Sequence, residues 1–160
     1  FEQIAGGNDA MAAFARWVQV SNDSNRVDAP LAELLSSDDS RIRGLAAYAI
    51  RHLSTVSPST RKALRSAAVT EPEDSSWRIH MICSVAVHGL KNEHGKWLSQ
   101  LRHCALTSNT SGRYQACQTF ARLANISDLP LLTHCLKDTE ADVRSAAAYA
   151  VLRTVDEARE

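Results

Sequence analysis

Apolar and small side chains along this chain recur three, four and seven positions after an arginine, and that arginine itself recurs. The segments Asp39–Ile50, Asp74–Val85, Asn109–Phe120 and Glu140–Val151 share one phase, with Arg43, Arg78, Arg113 and Arg144 in the same place. The arginines are separated by 35, 35 and 31 residues, a period long enough for two helices and their turns. Counting from each arginine, positions three and four on hold Ala46 and Ala47, Met81 and Ile82, Ala116 and Cys117, and Ala147 and Ala148. Position seven holds Ile50, Val85, Phe120 or Val151. Such spacing lays one apolar stripe along a helix, so each segment is expected to be helical, centred near Ala47, Ile82, Cys117 and Ala148. Small residues within the stripe let neighbouring helices approach closely. Four residues before each arginine stands Asp39, Asp74, Asn109 or Glu140, oxygen-bearing residues suited to a helix entry.

A shorter helix is expected before each of these. Leu31, Leu34 and Leu35 correspond to Leu101, Cys104 and Ala105, and to Leu132, Cys135 and Leu136. In the second pair Leu64, Ala67 and Ala68 lie two residues further back, so the turn containing Pro72 should be longer. Ser57-Pro58 reads as a cap followed by the first helical residue, and Asp28 and Ser127 as caps ahead of Pro30 and Pro130. Ala10–Val20 is expected to form one more amphipathic helix, followed by a polar loop, Ser21–Asn25. The predicted organisation is therefore an N-terminal segment, 1–27, with a capping helix, then a continuous array over 28–160. Because the chain starts at Phe1, that array is expected to belong to a longer protein.

The pattern Asp-x-x-Val-Arg-x-x-Ala-Ala-x-Ala-Leu resembles the second helix of a HEAT repeat, including the short, phycobilisome-lyase-like kind. It is matched best at Glu140–Arg153 and Asp39–Leu53, and least at Asn109–Leu123, where Gly112 precedes the arginine. The resemblance implies an all-α, right-handed α-solenoid of about four HEAT-like helix pairs, with second helices lining the inner surface. It also implies scaffolding or partner binding. Some HEAT-like solenoids are DNA glycosylases and others are chromophore-lyase subunits, which supplies two alternative functions.

Charge narrows the alternatives. Lys+Arg 18 against Asp+Glu 18 gives zero formal net charge, which removes the bulk electrostatic attraction that nucleic acid or an anionic membrane needs. Trp17, Trp77 and Trp97 could stack on bases, but no basic cluster accompanies them. No apolar run approaches the ~20 residues of a membrane-spanning helix. The cysteines, Cys83, Cys104, Cys117 and Cys135, form no CxxC pair and sit in apolar helical contexts, as expected of free thiols in the cytoplasm.

Candidate chemistry is sparse. His103-Cys104 and His134-Cys135 are equivalent positions of successive repeats, and stacked helices stand ~8–10 Å apart, too far for one zinc with ligands at ~2.0–2.3 Å. No metal or cofactor is expected. There is no GxSxG, HExxH or glycine-rich phosphate loop, so the chain reads as non-catalytic. The four arginines could form an anion-binding ladder, but pairing with acids of the turns between repeats is the simpler role.

The face opposite the buried stripe is the candidate contact surface. It comprises Arg41, Tyr48 and His52 in the first repeat, His80 in the second, Gln115, Gln118 and Arg122 in the third, and Tyr149 and Arg153 in the fourth. Tyrosine and arginine combine a large contact area with directed hydrogen bonds, which favours them where proteins bind. The expected function is a protein-binding scaffold or adaptor.

Overall fold

The computed structural model describes residues 24–89 and 93–159. Among them are eight α-helices and no strand. They are α1 (Ser24–Leu34), α2 (Ser40–Arg51), α3 (Pro58–Thr70), α4 (Arg78–His88), α5 (His94–Thr107), α6 (Thr110–Leu123), α7 (Leu129–Cys135) and α8 (Ala141–Glu157), with a 3₁₀ turn at Ile126–Asp128. The amphipathic stretch Ala10–Val20 lies outside the described residues.

The chain divides into two compact units, 1–93 and 94–160. In the first, α1 packs on α2 and α3, while α4 packs on α2 and α3. In the second, α5 packs on α6 and α7, while α8 packs on α6 and α7. Each unit is thus two helix pairs laid side by side, first helix against first and second against second. The four second helices fall where the arginine phase puts them.

The apolar stripe is buried as its spacing demands in the first three repeats, whereas in the fourth Ala147 is buried but Ala148 and Val151 are only half-buried. Ala46, Ala47, Ile50, Met81, Ile82 and Val85 are buried in the first unit, and Ala116, Cys117, Phe120 and Ala147 in the second. Small residues permit the close approach. Trp77 lies over Gly44, where an added Cβ would come within 2.7 Å of the indole. Ser84 donates its hydroxyl to the carbonyl of Ala47, stitching α4 to α2.

Helix entries follow the capping expectation in part. Asp39 accepts from the Arg41 amide, Asn109 from the Gly112 amide and Ser57 from the Thr60 amide. Glu140 stands at its cap position without a side-chain bond. Asp74 is not a cap: α4 begins at Arg78, after Trp77, because the long turn through Pro72 delays it. Asp28 is not a cap either, since α1 begins at Ser24 and carries Pro30 inside it. Its carboxylate instead accepts from the Ser57 amide at 3.3 Å. Ser127 lies within the 3₁₀ turn, and Asp128 occupies the entry to α7.

Candidate functional site

The repeated arginines serve the fold. Arg43 donates Nη1 to the carbonyls of Ser37 (2.7 Å) and Asp38 (2.9 Å), the turn it follows. Its Nε and Nη2 both bind Oε2 of Glu71, 28 residues on, at 2.9 and 2.6 Å. Arg113 repeats the device: Nη1 to the Ser108 carbonyl at 2.8 Å, Nε and Nη2 to the two oxygens of Asp138 at 2.7 and 2.9 Å. Each acid works twice. The Glu71 carbonyl accepts from Arg78 at 2.6 Å, and the Asp138 carbonyl from Arg144 at 2.7 Å. One residue therefore ties the preceding pair to its own, and the anion-ladder alternative loses the two forks that would hold the anion.

Glu71 is fully buried, which alone would raise its carboxyl pKa. The hydroxyls of Ser40 and Ser75 and the Arg43 guanidinium outweigh that and hold it below the ordinary range. Asp138 is held down to about 2, chiefly by Arg113. Sequence reasoning missed Glu71. Its sign was the acid standing at the head of a turn, 28 residues after one arginine, as Asp138 stands 25 after another.

The candidate contact residues separate into two groups. In the first unit Arg41 is exposed and bonded to Asp39, while Tyr48 and His52 are half-buried. His80 is buried, with 6 % of its surface exposed, so it is not a surface residue. The Tyr48 ring is packed edge-on to His52 (4.9 Å) and His80 (5.5 Å), with the Arg51 guanidinium 4.8 Å from its centroid. Tyr48 therefore joins α2 to α4 rather than projecting freely. Burial, with Arg51 nearby, lowers the His80 pKa to about 4. Cys83, which holds the place of Tyr48 in the second repeat, and Ala146, which holds that of His80 in the fourth, are also buried. The stripe is wider than positions three, four and seven because each second helix is flanked on more than one side.

In the second unit Arg122, Tyr149 and Arg153 are exposed and Gln115 and Gln118 half-buried. Here α6 and α8 leave an open groove of about 670 Å³, lined by Thr110, Ser111, Tyr114, Gln118, Asp142, Ser145 and Ala146. The Gln118 amide donates to the Tyr114 hydroxyl at 3.2 Å, fixing both across one helical turn. Of the lining residues only Asp142 carries a charge. Tyr114, Ser145 and Thr110 were not among the predicted contacts, because a groove between helices depends on the packing of α8 on α6.

No group of three His, Cys, Asp or Glu that could hold a metal occurs among the described residues. All four cysteines are free; Cys104 is half-buried and the others buried. Contact with Cys135 and burial push the Cys117 thiol up, so it stays protonated. Trp97 is buried and Trp77 half-buried against Gly44, which removes both as base-stacking platforms. No described helix is long and apolar enough to cross a membrane.

Residues 129–155 match the HEAT repeat family. Two engineered proteins whose crystal structures come from the Northeast Structural Genomics Consortium share the fold. One is 17% identical, with a TM-score of 0.52 over 96% of this chain and 79% of its own. The other is 20% identical, with a TM-score of 0.51 over 92% of this chain and 72% of its own. No curated protein matches the chain. Among the described residues the chain is all-α, built of helix pairs like those of the engineered proteins it resembles, and residues 129–155 match the HEAT repeat.

Proposed function

We propose that this chain is a non-catalytic scaffold that binds another protein through the groove between α6 and α8. The observation that carries the reading is the groove itself: hydroxyl, phenol and amide groups around an open cleft, with Tyr149 52 % exposed on the helix that forms one wall. Such a surface offers hydrogen bonds and aromatic area without a reactive group, which suits recognition of a polypeptide. Its single carboxylate repels phosphate, which disfavours the nucleic-acid alternative. The repeat architecture supports scaffolding, and the four free cysteines fit a cytoplasmic setting.

The test is affinity purification from the source cell followed by calorimetry with the protein recovered. Replacing Gln118 and Tyr149 together by alanine should weaken binding at least about ten-fold with little change in melting temperature, since one is half-buried and the other exposed. Unchanged affinity in the double variant overturns the groove as the contact surface.

A further inference from the structure

Ser111 and Asp142, Gln118 and Tyr149, and Arg122 and Arg153 hold matching places on α6 and α8, counted from Arg113 and Arg144. The first turns of both helices line one groove, so the helices run parallel and each pair stands level. Asp142 and Arg153 are eleven residues apart, within about 20° of three whole turns at ~100° per residue. Ala146, which lines the groove, and Tyr149 lie on the same stripe between them. An acid therefore marks one end of the groove and two arginines the other, with amide, phenol and hydroxyl groups between.

Both ends are open to a ligand. Asp142 is exposed, and its carboxylate meets no ion pair or hydrogen bond among the described residues. Arg153 is 49 % exposed, and its contact with Glu157 is a loose one at 4.0 Å. The acid beyond, Asp156, lies 4.0 Å from Arg159. A first-turn acid also favours the positive end of the α8 dipole, but that role works on any side of the helix and does not call for the groove side.

Given the groove as the contact surface, we propose that it takes an extended segment of its partner carrying a lysine or arginine and, five residues away, an aspartate or glutamate. The basic side chain meets Asp142 and the acidic one Arg122 and Arg153. The spacing follows from the helix: eleven residues at ~1.5 Å set the two ends about 16 Å apart, which five extended residues span at ~3.3 Å each. An extended segment also leaves its peptide groups free to bond with Gln118, Tyr114 and Ser145, whereas a helix keeps them to itself. Opposite charges at the two ends fix register and reject segments of a single sign.

Random peptides of about twelve residues, enough for the span and its flanks, are displayed on phage and selected on the whole chain. Binders should carry opposite charges five residues apart. The strongest, synthesised, should bind Asp142→Asn about two- to five-fold more weakly and Asp142→Lys at least about ten-fold, by calorimetry. Exchanging its basic residue for glutamate should restore affinity for Asp142→Lys, which also shows that variant to be folded. Binders that lack the spacing, or that are lost on Gln118→Ala/Tyr149→Ala yet ignore Asp142→Lys, overturn the charge register and leave the groove as the contact surface. Binders indifferent to Gln118→Ala/Tyr149→Ala, or no binders at all, overturn the groove and the register with it.

Discussion

Replacing Glu71 by alanine removes the carboxylate that holds Arg43 and takes the hydroxyls of Ser40 and Ser75. The Glu71 side chain is 0 % exposed and that of Arg43 17 %, so water cannot readily replace the lost bonds. Breaking a buried pair from one side costs about 3–5 kcal/mol. Arg43 keeps its bonds to the Ser37 and Asp38 carbonyls and retains a solvent-facing edge, which places the expected loss near ~3 kcal/mol. At about 2–4 °C per kcal/mol for a chain of this size, the melting temperature should fall by roughly 6–12 °C. Hydrogen exchange gives the sharper reading, because Glu71 braces helices of the first unit alone. Protection should drop through α2, α3 and α4 and persist in α6 and α8. Glu71→Gln, which keeps the shape and one acceptor, should lose less. A Glu71→Ala protein within about 0.5 kcal/mol of wild type would refute the brace as a stabilising device.

Three further outcomes follow from named residues. The folded-state pKa of His80 lies below its unfolded value, so the unfolded chain binds the proton first and stability falls as pH drops from about 6.5 to about 4. The loss amounts to roughly 3 kcal/mol, seen as a falling urea midpoint; His80→Leu should remove that slope, and an identical slope in the variant refutes the assignment. Ala47→Asp should destabilise by several kcal/mol, on the order of ~3, because Ala47 is fully buried, whereas Ala148→Asp should cost under about 1; equal melting curves would contradict the difference in cover. Ala124 ends α6 at φ 45°, where a Cβ is disfavoured, so Ala124→Gly should stabilise by about 0.5–1 kcal/mol in a thermal melt, and destabilisation would show the strain is absent.

The helical array was legible because a repeat states the same spacing several times. Arg43, Arg78, Arg113 and Arg144 fixed the phase, and every second helix lies on it. The turn through Pro72 was correctly longer, yet its length also moved the start of α4 past Asp74. Ala148 shows where local pattern fails. Its place in the stripe is the place that buries Ala47 and Cys117, but burial there depends on a following helix, and none of the described residues supplies one. The same dependence hid the groove. Periodicity says which side of one helix is polar, and it placed Gln118 and Tyr149 correctly at least partly in solvent. It cannot say that a neighbour closes over His80 while α6 and α8 leave a groove beside Gln118. Glu71 escaped because a buried carboxylate is intelligible only with its four donors in view.

Site-specific photo-crosslinking tests the scaffold reading most directly, since it captures a protein partner of any identity. A benzophenone amino acid replaces Tyr149 beside the groove or, as control, Val69, which is 55 % exposed on α3. Irradiation in the source cell should give one discrete protein adduct from position 149, distinct from a second copy of the chain, and none of that mass from position 69. The same adduct from both positions, or none from 149, would contradict protein binding at the groove.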